Sequence, residues 1–405
     1  MATATFTYRV RTRDGRVVNG SMEGDSNASV AQRLRSQNMV PLEIKQESTA
    51  GLKMEFKLPQ RVKLKDLAVF SRQFATMIAS GLSLLRALNI LSEQTENKKL
   101  AETVALVRDD VEGGTSLSAS MAKYPKVFAQ LFVSLVRAGE TGGQLDTVLV
   151  RIADGYEKDY RLRQKIKSAM TYPVVVFMIA IVLVSIMLIF IVPTFAAMFV
   201  NLGGELPLPT KILLFLSQKA IILLPLAAIL GVTSFVLYKR FRKSSVAFAL
   251  RADAVKLKIP VFGDLFSKIA LARFSRTLSL LMRSGVPVLQ ALEITAEATG
   301  NFVIGAAATD VRTSVREGES ISAPLKNHKV FPPMVVQMIA VGEDTGQVDD
   351  MLDKIADFYE QEVESTTESL TALLEPLMIA VLGGLVGSMV IALYMPMFKV
   401  FDLIK

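Results

Sequence analysis

The chain has 405 residues, 51% of them hydrophobic, and a mean hydropathy of +0.39, which is too apolar for an ordinary soluble protein. It has no cysteine and one histidine, His328, which excludes disulfides, thiolate zinc sites and multi-histidine metal sites. The net charge of +8 does not indicate nucleic-acid binding, because part of the basic excess lies beside apolar segments and there orients a membrane protein.

The N-terminal 46 residues predict a small α+β module with the order strand, strand, helix, strand. Polar and apolar residues alternate from Phe6 to Val10, and Asp14-Gly15 is typical of a hairpin turn. A short helix is predicted from about Ala28 to Gln37, before the last strand. The mixed polar segment that follows, residues 47–63, is predicted to be a linker.

A repeat organises the rest of the chain. The segment from Phe70 to Ile90 aligns without a gap on Phe274 to Ile294, with nine of 21 positions identical. Further on, Gly139 to Asp146 matches Gly342 to Asp349. Such self-similarity indicates two copies of one structural unit. Apolar residues recur at helical spacing within each copy, so each is predicted to be a helical bundle.

Three long uncharged segments predict membrane-spanning helices. They are Ser168 to Gly204, Ala220 to Tyr238 and Pro376 to Phe398, and each is long enough to cross a bilayer. The first and third belong to the repeat, because Pro173 and Pro376 occupy equivalent positions. The second has no counterpart and returns the chain to its original side.

Short-loop lysines and arginines predict the orientation. Five basic residues precede the first span within residues 158–167 and four follow the second, whereas residues 193–211 contain only Lys211. Because basic loops stay in the cytoplasm, both bundles and the N-terminus are predicted to be cytoplasmic and the C-terminus external.

The sequence therefore predicts an all-α membrane protein with two repeated cytoplasmic helical bundles, three transmembrane helices and a small N-terminal α+β module. The predicted segments are residues 1–46 (N-terminal module), 47–63 (linker), 64–167 (bundle 1), 168–200 (transmembrane helix 1), 201–211 (external loop), 212–238 (transmembrane helix 2), 239–374 (bundle 2), 375–398 (transmembrane helix 3) and 399–405 (external tail).

Glycines mark the same corner in both repeats, Gly139 to Gly143 and Gly342 to Gly346. These segments lack the Lys-Ser/Thr of a P-loop and follow no apolar strand, so they are predicted to be helix corners and not phosphate cradles. Two interpretations of the last glycines, Gly143 and Gly346, remain open. They let the chain turn, or they form mechanical joints between each bundle and the helix entering the membrane.

Charged residues at equivalent positions are the other candidates. Glu140 and Glu343 have too few oxygen-bearing neighbours to predict a calcium site. Arg72 and Arg276 lie on apolar helix faces and are interpreted either as members of intradomain salt bridges or as partner contacts. The candidate partner-contact or hinge residues are Arg72, Gly81, Glu140, Gly143, Arg276, Gly285, Glu343 and Gly346.

The third span contains a GxxxG pair, Gly383 and Gly387, which permits close approach of another helix. It is interpreted as packing within the molecule and not as a dimer contact. No charged residue interrupts the centre of any span, so no proton relay or ion path is predicted.

Taken together, these motifs resemble the inner-membrane platform protein of type IV pilus assembly systems (PilC-like) and of type II secretion systems (secretion protein F). The resemblance covers essentially the whole chain and includes Phe6-Thr-Tyr8, the two doubled motifs, Met170-Thr-Tyr-Pro173 and Leu374-Glu-Pro376. It implies an oligomeric platform in the bacterial inner membrane that couples a cytoplasmic assembly ATPase to insertion and extraction of pilin or pseudopilin subunits, beside other inner-membrane assembly proteins.

The resemblance implies a scaffold without a cofactor or catalytic residues, and therefore a protein that is not an enzyme. It also implies that some secretion relatives bind calcium near the position of Glu140, using a second acidic residue four positions later. This chain has Gln144 at that later position, and Gln347 in the second repeat. Calcium is therefore not carried over. A small-solute transporter or channel is the alternative, and it predicts inverted repeats or broken polar spans, whereas these repeats are parallel.

Overall fold

A computed structural model describes residues 4–11, 17–24, 26–36, 39–46, 61–201 and 207–403. The chain divides into two compact units, Met1–Gln60 and Arg61–Lys405, which are described separately.

The N-terminal unit is a three-stranded antiparallel sheet with one helix. Its elements are β1 (Ala4–Arg11), β2 (Val17–Gly24), α1 (Asn27–Ser36) and β3 (Val40–Gln46). β1 lies in the centre, in the order β2-β1-β3. Phe6 and Val10 of β1 and Val30 and Leu34 of α1 form the buried core. The predicted order of elements is confirmed, while the Asp14-Gly15 turn and most of the linker lie outside the described residues.

The second unit contains both repeats, and each repeat includes a pair of helices joined at a glycine. The helices of the first repeat are α2 (Leu64–Ala79), α3 (Leu84–Gln94), α4 (Lys98–Glu112), α5 (Leu117–Ala122), α6 (Gln130–Thr141) and α7 (Leu145–Ile186), followed by α8 (Val192–Asn201) and α9 (Leu208–Ser244). The helices of the second repeat are α10 (Val246–Lys258), α11 (Phe262–Arg283), α12 (Val288–Ala298), α13 (Phe302–Arg316), α14 (Ser322–Leu325), α15 (Pro333–Thr345) and α16 (Val348–Leu403).

The two repeats share one hydrophobic core. Within the repeats α2 packs on α7 and α11 on α16, and between them α7 packs on α16 and α6 on α12. Phe74 and Phe132 belong to the same buried cluster as Phe274 and Leu292. Burying one such side chain stabilises a fold by about 1.5–3 kcal/mol. The two predicted bundles are therefore joined into a single packed body.

The helical prediction for the membrane is confirmed. Three helical segments are long and apolar enough to cross a bilayer, within Leu145–Met198, at Ile222–Arg242 and within Val348–Met395. Large apolar side chains on them, such as Phe177 and Ile229, are more than half exposed in the isolated chain. Lipid contact accounts for such exposure, since a soluble surface rarely presents so many apolar side chains together.

The first span is interrupted where α7 meets α8. Residues Met187–Ile191 form a single π-helical turn just before Pro193. Proline lacks the N–H that an α-helical ladder needs, and a π-turn is one way to absorb the defect. The Ser217 hydroxyl of α9 donates to the Leu188 carbonyl in this turn, and Thr210 donates to the Ala392 carbonyl of α16 at 2.6 Å. Hydroxyl bonds thus connect α9 to the first and third spans.

Two expectations about the membrane region are modified. α9 begins at Leu208, inside the predicted external loop, and α16 continues to Leu403, through most of the predicted tail. In addition, no neighbouring atom lies within 4 Å of a Cβ built at Gly383 or Gly387. Among the described residues no close helix contact is present at these two glycines, and the interpretation of the GxxxG pair as packing within the molecule stays a prediction.

Candidate functional site

The repeated corners connect α6 to α7 and α15 to α16. Gly143 and Gly346 adopt left-handed backbone angles, with φ of 65° and 69°. The backbone N–H of Gln144 donates to the Gly139 carbonyl at 2.9 Å and closes the end of α6. A residue with a Cβ is strained at such angles, so glycine allows the chain to reverse direction within three residues.

The first glycine of each corner is required for a different reason. A Cβ on Gly139 would lie 3.0 Å from Val148 Cβ, and one on Gly342 would lie 2.9 Å from Val348 Cα. By contrast, a Cβ on Gly346 would meet nothing within 4 Å. Gly139 and Gly342 therefore permit close packing of two helices, whereas Gly143 and Gly346 supply backbone angles.

The corner glutamates close the start of a neighbouring short helix. Both carboxylate oxygens of Glu140 accept backbone N–H groups, from Leu117 at 2.6 Å and from Ser118 at 3.0 Å. Glu343 accepts the N–H groups of Ile321 and Ser322 in the same way. Charge-assisted bonds of this kind attach each corner to the middle of its bundle.

The carboxylate oxygens of Glu140 and Glu343 therefore already accept backbone hydrogen bonds. Within the described parts of the chain, no three Asp, Glu or His side chains lie close enough together to hold a metal ion.

Arg72 on α2 and Arg276 on α11 each bind the long helix that enters the membrane. Arg72 on α2 binds Glu157 of α7 through two nitrogens, at 2.7 and 2.9 Å, and also contacts Asp154. Hydrogen bonds from Arg72 hold the pKa of Glu157 below its usual value. The bidentate geometry fixes the orientation of α2 against α7.

The second repeat contains a larger version of this cluster. Arg276 on α11 contacts three carboxylates of α16, Asp353, Asp357 and Glu360, the last at 2.9 Å. Its side chain is only 14% exposed, against 38% for Arg72. Both arginines therefore form intradomain salt bridges, and both line one cavity of about 400 Å³ between the repeats.

Gly81 and Gly285 lie just after α2 and α11, the equivalent helices of the two repeats. Their φ angles are 82° and 79°, and the next residue in each case donates its N–H back to the preceding helix. Gly285 also lines a second cavity between the repeats, of about 540 Å³, together with Gly142 of the first corner. The structure therefore brings the turn of one repeat close to the corner of the other.

Opposite charges join the two helices that enter the membrane. Lys158 of α7 lies 3.0 Å from Asp357 of α16, and Lys165 contacts Glu364. Arg273 of α11 lies 3.5 Å from Asp159 of α7. Residues 158–167 are rich in Lys and Arg, whereas the equivalent residues 361–370 contain Glu and no basic residue. The opposite charge of these two equivalent segments is visible in the sequence, and it indicates that the two repeats pair with each other.

Asp253 is a functional candidate that sequence reasoning missed. Its side chain is 2% exposed and accepts from Arg242 at 3.0 Å, from Lys256 at 3.3 Å and from the Phe302 N–H at 3.0 Å. It therefore connects the end of α9 to α10 and to the start of α13. The available signal is that Asp253 is the only acidic residue between Tyr238 and Gly263, a segment that contains seven basic residues.

Comparisons with known proteins agree with this architecture. The sequence profile described as type II secretion system protein F matches twice, at residues 70–193 and 274–396, and the profile of its N-terminal domain matches residues 1–45. The two matches coincide with the two structural repeats, and the third with the N-terminal unit.

Individual relatives match over almost the entire chain. The type IV pilus assembly protein PilC of Thermus thermophilus is 45% identical over 400 residues, which is 98% of both chains. PilC of Myxococcus xanthus is 40% identical over 98% of this chain and 95% of its own. The type II secretion system protein F of Vibrio cholerae is 35% identical over 87% of this chain and 88% of its own. The chain is thus a membrane protein that belongs to the type II secretion system protein F family.

Proposed function

We propose that the chain is the inner-membrane platform of a type IV pilus assembly machine. The observation that carries this proposal is the 45% identity to a pilus assembly protein over 98% of both chains. The secretion relative from Vibrio cholerae is less similar and matches a smaller part of this chain. Protein secretion by a related machine is therefore the second candidate function.

The platform role follows from what the fold offers. The described residues form two long helices that leave a packed helical body and enter the membrane, and both are attached to that body by corners and arginine clusters. We propose that a cytoplasmic assembly ATPase binds the helical body, and that pilin subunits and other inner-membrane assembly proteins meet the spans. The candidate contact or hinge residues are Arg72, Gly81, Glu140, Gly143, Arg276, Gly285, Glu343 and Gly346. The protein acts as a scaffold, in several copies, and hydrolyses nothing itself.

Deletion of the gene in its host tests the proposal. We expect the deletion strain to lack surface pili in electron micrographs while its pilin accumulates in the membrane fraction, and we expect a plasmid copy of the chain to restore pili. A strain that keeps its pili and loses an extracellular enzyme would support secretion instead. Purification of the full-length chain in detergent should also retain the assembly ATPase, and failure to do so would argue against the platform role.

The proposed orientation places the N-terminus in the cytoplasm and the C-terminus outside. Alkaline phosphatase fused after Asn201 is expected to be active, because that position follows the first span, whereas the same fusion after Lys243 is expected to be inactive. A cytoplasmic reporter at the same two positions serves as the control and should give the opposite pattern. Equal activity of both phosphatase fusions would contradict the three-span topology.

A further inference from the structure

α10 lies beside the basic end of the second span. Only Ser245 separates it from α9. The helix folds back, so that the Phe248 ring lies 6.1 Å from the Tyr238 ring and 5.9 Å from the Phe241 ring. Lys256 lies 5.2 Å above the Tyr238 ring. Because Tyr238 and Phe241 belong to the candidate span Ile222–Arg242, α10 lies at the level where this span leaves the bilayer.

Exposed apolar side chains lie on α10 and at its C-terminal end. Ala249 and Asp253 are buried against the body, whereas Phe248 and Val255 lie seven residues apart on another side of the helix. With Ile259, which directly follows the last residue of the helix, they form an apolar stripe. These three side chains are 39%, 63% and 40% exposed. The rings of Tyr238 and Phe241 cover part of Phe248. A helix surface that borders water is normally polar, so the part of the stripe that is still exposed needs an apolar neighbour.

Asp253 prevents the stripe from turning inward. Its carboxylate is buried and binds Arg242 of α9 and the N–H of Phe302 at the start of α13. Rotating α10 to bury the stripe would remove this carboxylate from both partners and leave it unpaired, which is strongly unfavourable in a protein interior. The exposed stripe is therefore a fixed feature of the fold.

The turn after α10 extends the apolar surface. Val261 has φ of 71° and is the only non-glycine residue with a positive φ among the described residues. Its side chain is 56% exposed, and that of Phe266 is 39% exposed. A β-branched residue at this angle is strained, and strain of this kind persists at positions with a function. Here the strain holds an apolar side chain outward, next to Ile259.

Basic residues border the stripe. Arg251 and Lys258 are exposed on α10, and Lys239 and Arg240 end the second span. Basic side chains beside an apolar helical face are typical of helices that lie in the interface of a bilayer with anionic lipids. A protein that covered the stripe would need acidic side chains for these basic residues and would have to fit against the membrane surface. Anionic lipid supplies the negative phosphates and is already at that surface, so no further partner is required.

We propose that α10 lies in the headgroup layer at the basic end of the second span, as a binding site for anionic phospholipid. Phe248, Val255, Ile259 and Val261 would insert among the acyl chains, and Arg251 and Lys258 would contact phosphate groups. Through Asp253, the second repeat is then held against the membrane surface at a point separate from its own span. This inference depends only on the membrane location and not on the assembly role.

The absence of cysteine makes a direct test possible. A Val255→Cys variant of the full-length chain can be labelled uniquely with the fluorophore NBD and placed in nanodiscs of phosphatidylcholine and phosphatidylglycerol. Acyl-chain-brominated lipid is expected to reduce its emission about twofold, because the label would sit within the upper acyl region. Ile259→Cys provides a second position on the same stripe.

Leu106→Cys is the matched control, because Leu106 is 48% exposed on α4, a helix that packs within the first repeat. Its label is expected to emit as in water and to be unaffected by bromine. Equal, unquenched emission from positions 255, 259 and 106 would overturn the proposal. A second outcome would also overturn the proposal. The label at position 255 would emit as in an apolar environment but would not be quenched by bromine, and position 255 would cross-link two copies of the chain. The stripe would then be assigned to a contact with a second copy.

The charged residues have their own test. The Arg251→Gln, Lys258→Gln double variant is expected to lose its preference for phosphatidylglycerol over phosphatidylcholine by about fivefold per charge removed, while bromine quenching at position 255 persists in part. The double variant Arg86→Gln, Lys98→Gln in the first repeat is the charge-matched control, and its lipid preference should be unchanged. Equal loss in both double variants would show a non-specific effect of net charge and would contradict a site on α10.

Discussion

Replacing Gly342 with alanine is expected to lower the free energy of unfolding by about 3 kcal/mol. The new Cβ would lie 2.9 Å from Val348 Cα and 3.2 Å from the Gln347 carbonyl oxygen. Both are backbone atoms at the start of α16, so they move only if α15 and α16 separate. We expect the midpoint of thermal unfolding, followed by circular dichroism of the full-length chain in detergent, to fall clearly below that of the wild type.

Gly346→Asn is the matched control, because asparagine tolerates the left-handed angles that this position adopts and the space beside it is open. We expect a loss below about 1 kcal/mol. A larger loss for Gly346→Asn than for Gly342→Ala would contradict the separate roles of the two glycines.

The proposed joint is tested by Gly346→Val, which should abolish pilus assembly in protein that still inserts and binds its ATPase. Normal assembly would exclude the joint.

Removing the charge of Arg276 is expected to have a similarly large effect. In the wild type the guanidinium of Arg276 is mostly buried among three carboxylates of α16. Arg276→Met leaves these carboxylates without the cation that they share. Breaking such a cluster from one side costs about 3 kcal/mol. Arg72→Met removes a more exposed guanidinium from two carboxylates, and we expect a loss of about 1 kcal/mol. Urea unfolding of the full-length chain at pH 7 compares the two variants.

The pH dependence distinguishes lost ion pairs from lost packing. In the wild type, Arg72 lowers the pKa of Glu157, so this pair stabilises the fold above the ordinary glutamate pKa of about 4.3 and loses that contribution as pH falls through the lowered pKa. Burial alone would raise the pKa of Asp357, but hydrogen bonds from Arg276 and Lys158 outweigh it and lower the pKa. The deficit of each variant should therefore stay the same between pH 7 and about pH 5 and shrink as the pH falls from about 4.3 through the lowered pKa values. A deficit at about pH 3 equal to that at pH 7 would show that packing dominates.

The sequence was sufficient to predict the helices, the repeat and the spans, because each depends on patterns that are local or that recur. Apolar residues at helical spacing define α2 and α11, and uncharged length defines the spans. The corner glycines were recognised as corners from their position alone. Their division into one glycine for close packing and one for a left-handed angle depends on the distance between α15 and α16, which no local pattern contains.

Partners far apart in the chain were harder to predict. Arg72 and Glu157 are 85 residues apart, and their contact depends on how α2 packs on α7. Residues such as Lys158 and Lys165 were assigned to membrane orientation, and that assignment concealed their contacts with the acidic α16. Asp253 was overlooked because a single acidic residue in a basic segment has the same appearance whether it is solvated or buried.

The length of α7 has a mechanical consequence. The helix runs without a break for 42 residues, from the first corner to the π-helical turn inside the membrane. At 1.5 Å per residue this is a lever about 63 Å long. Tilting its corner end by about 10° would displace the opposite end sideways by roughly 11 Å, about the diameter of a helix. If α7 moves as one rigid body despite Pro173, small rotations of the helical body would be amplified into movements large enough to open or close a space for another helix within the bilayer.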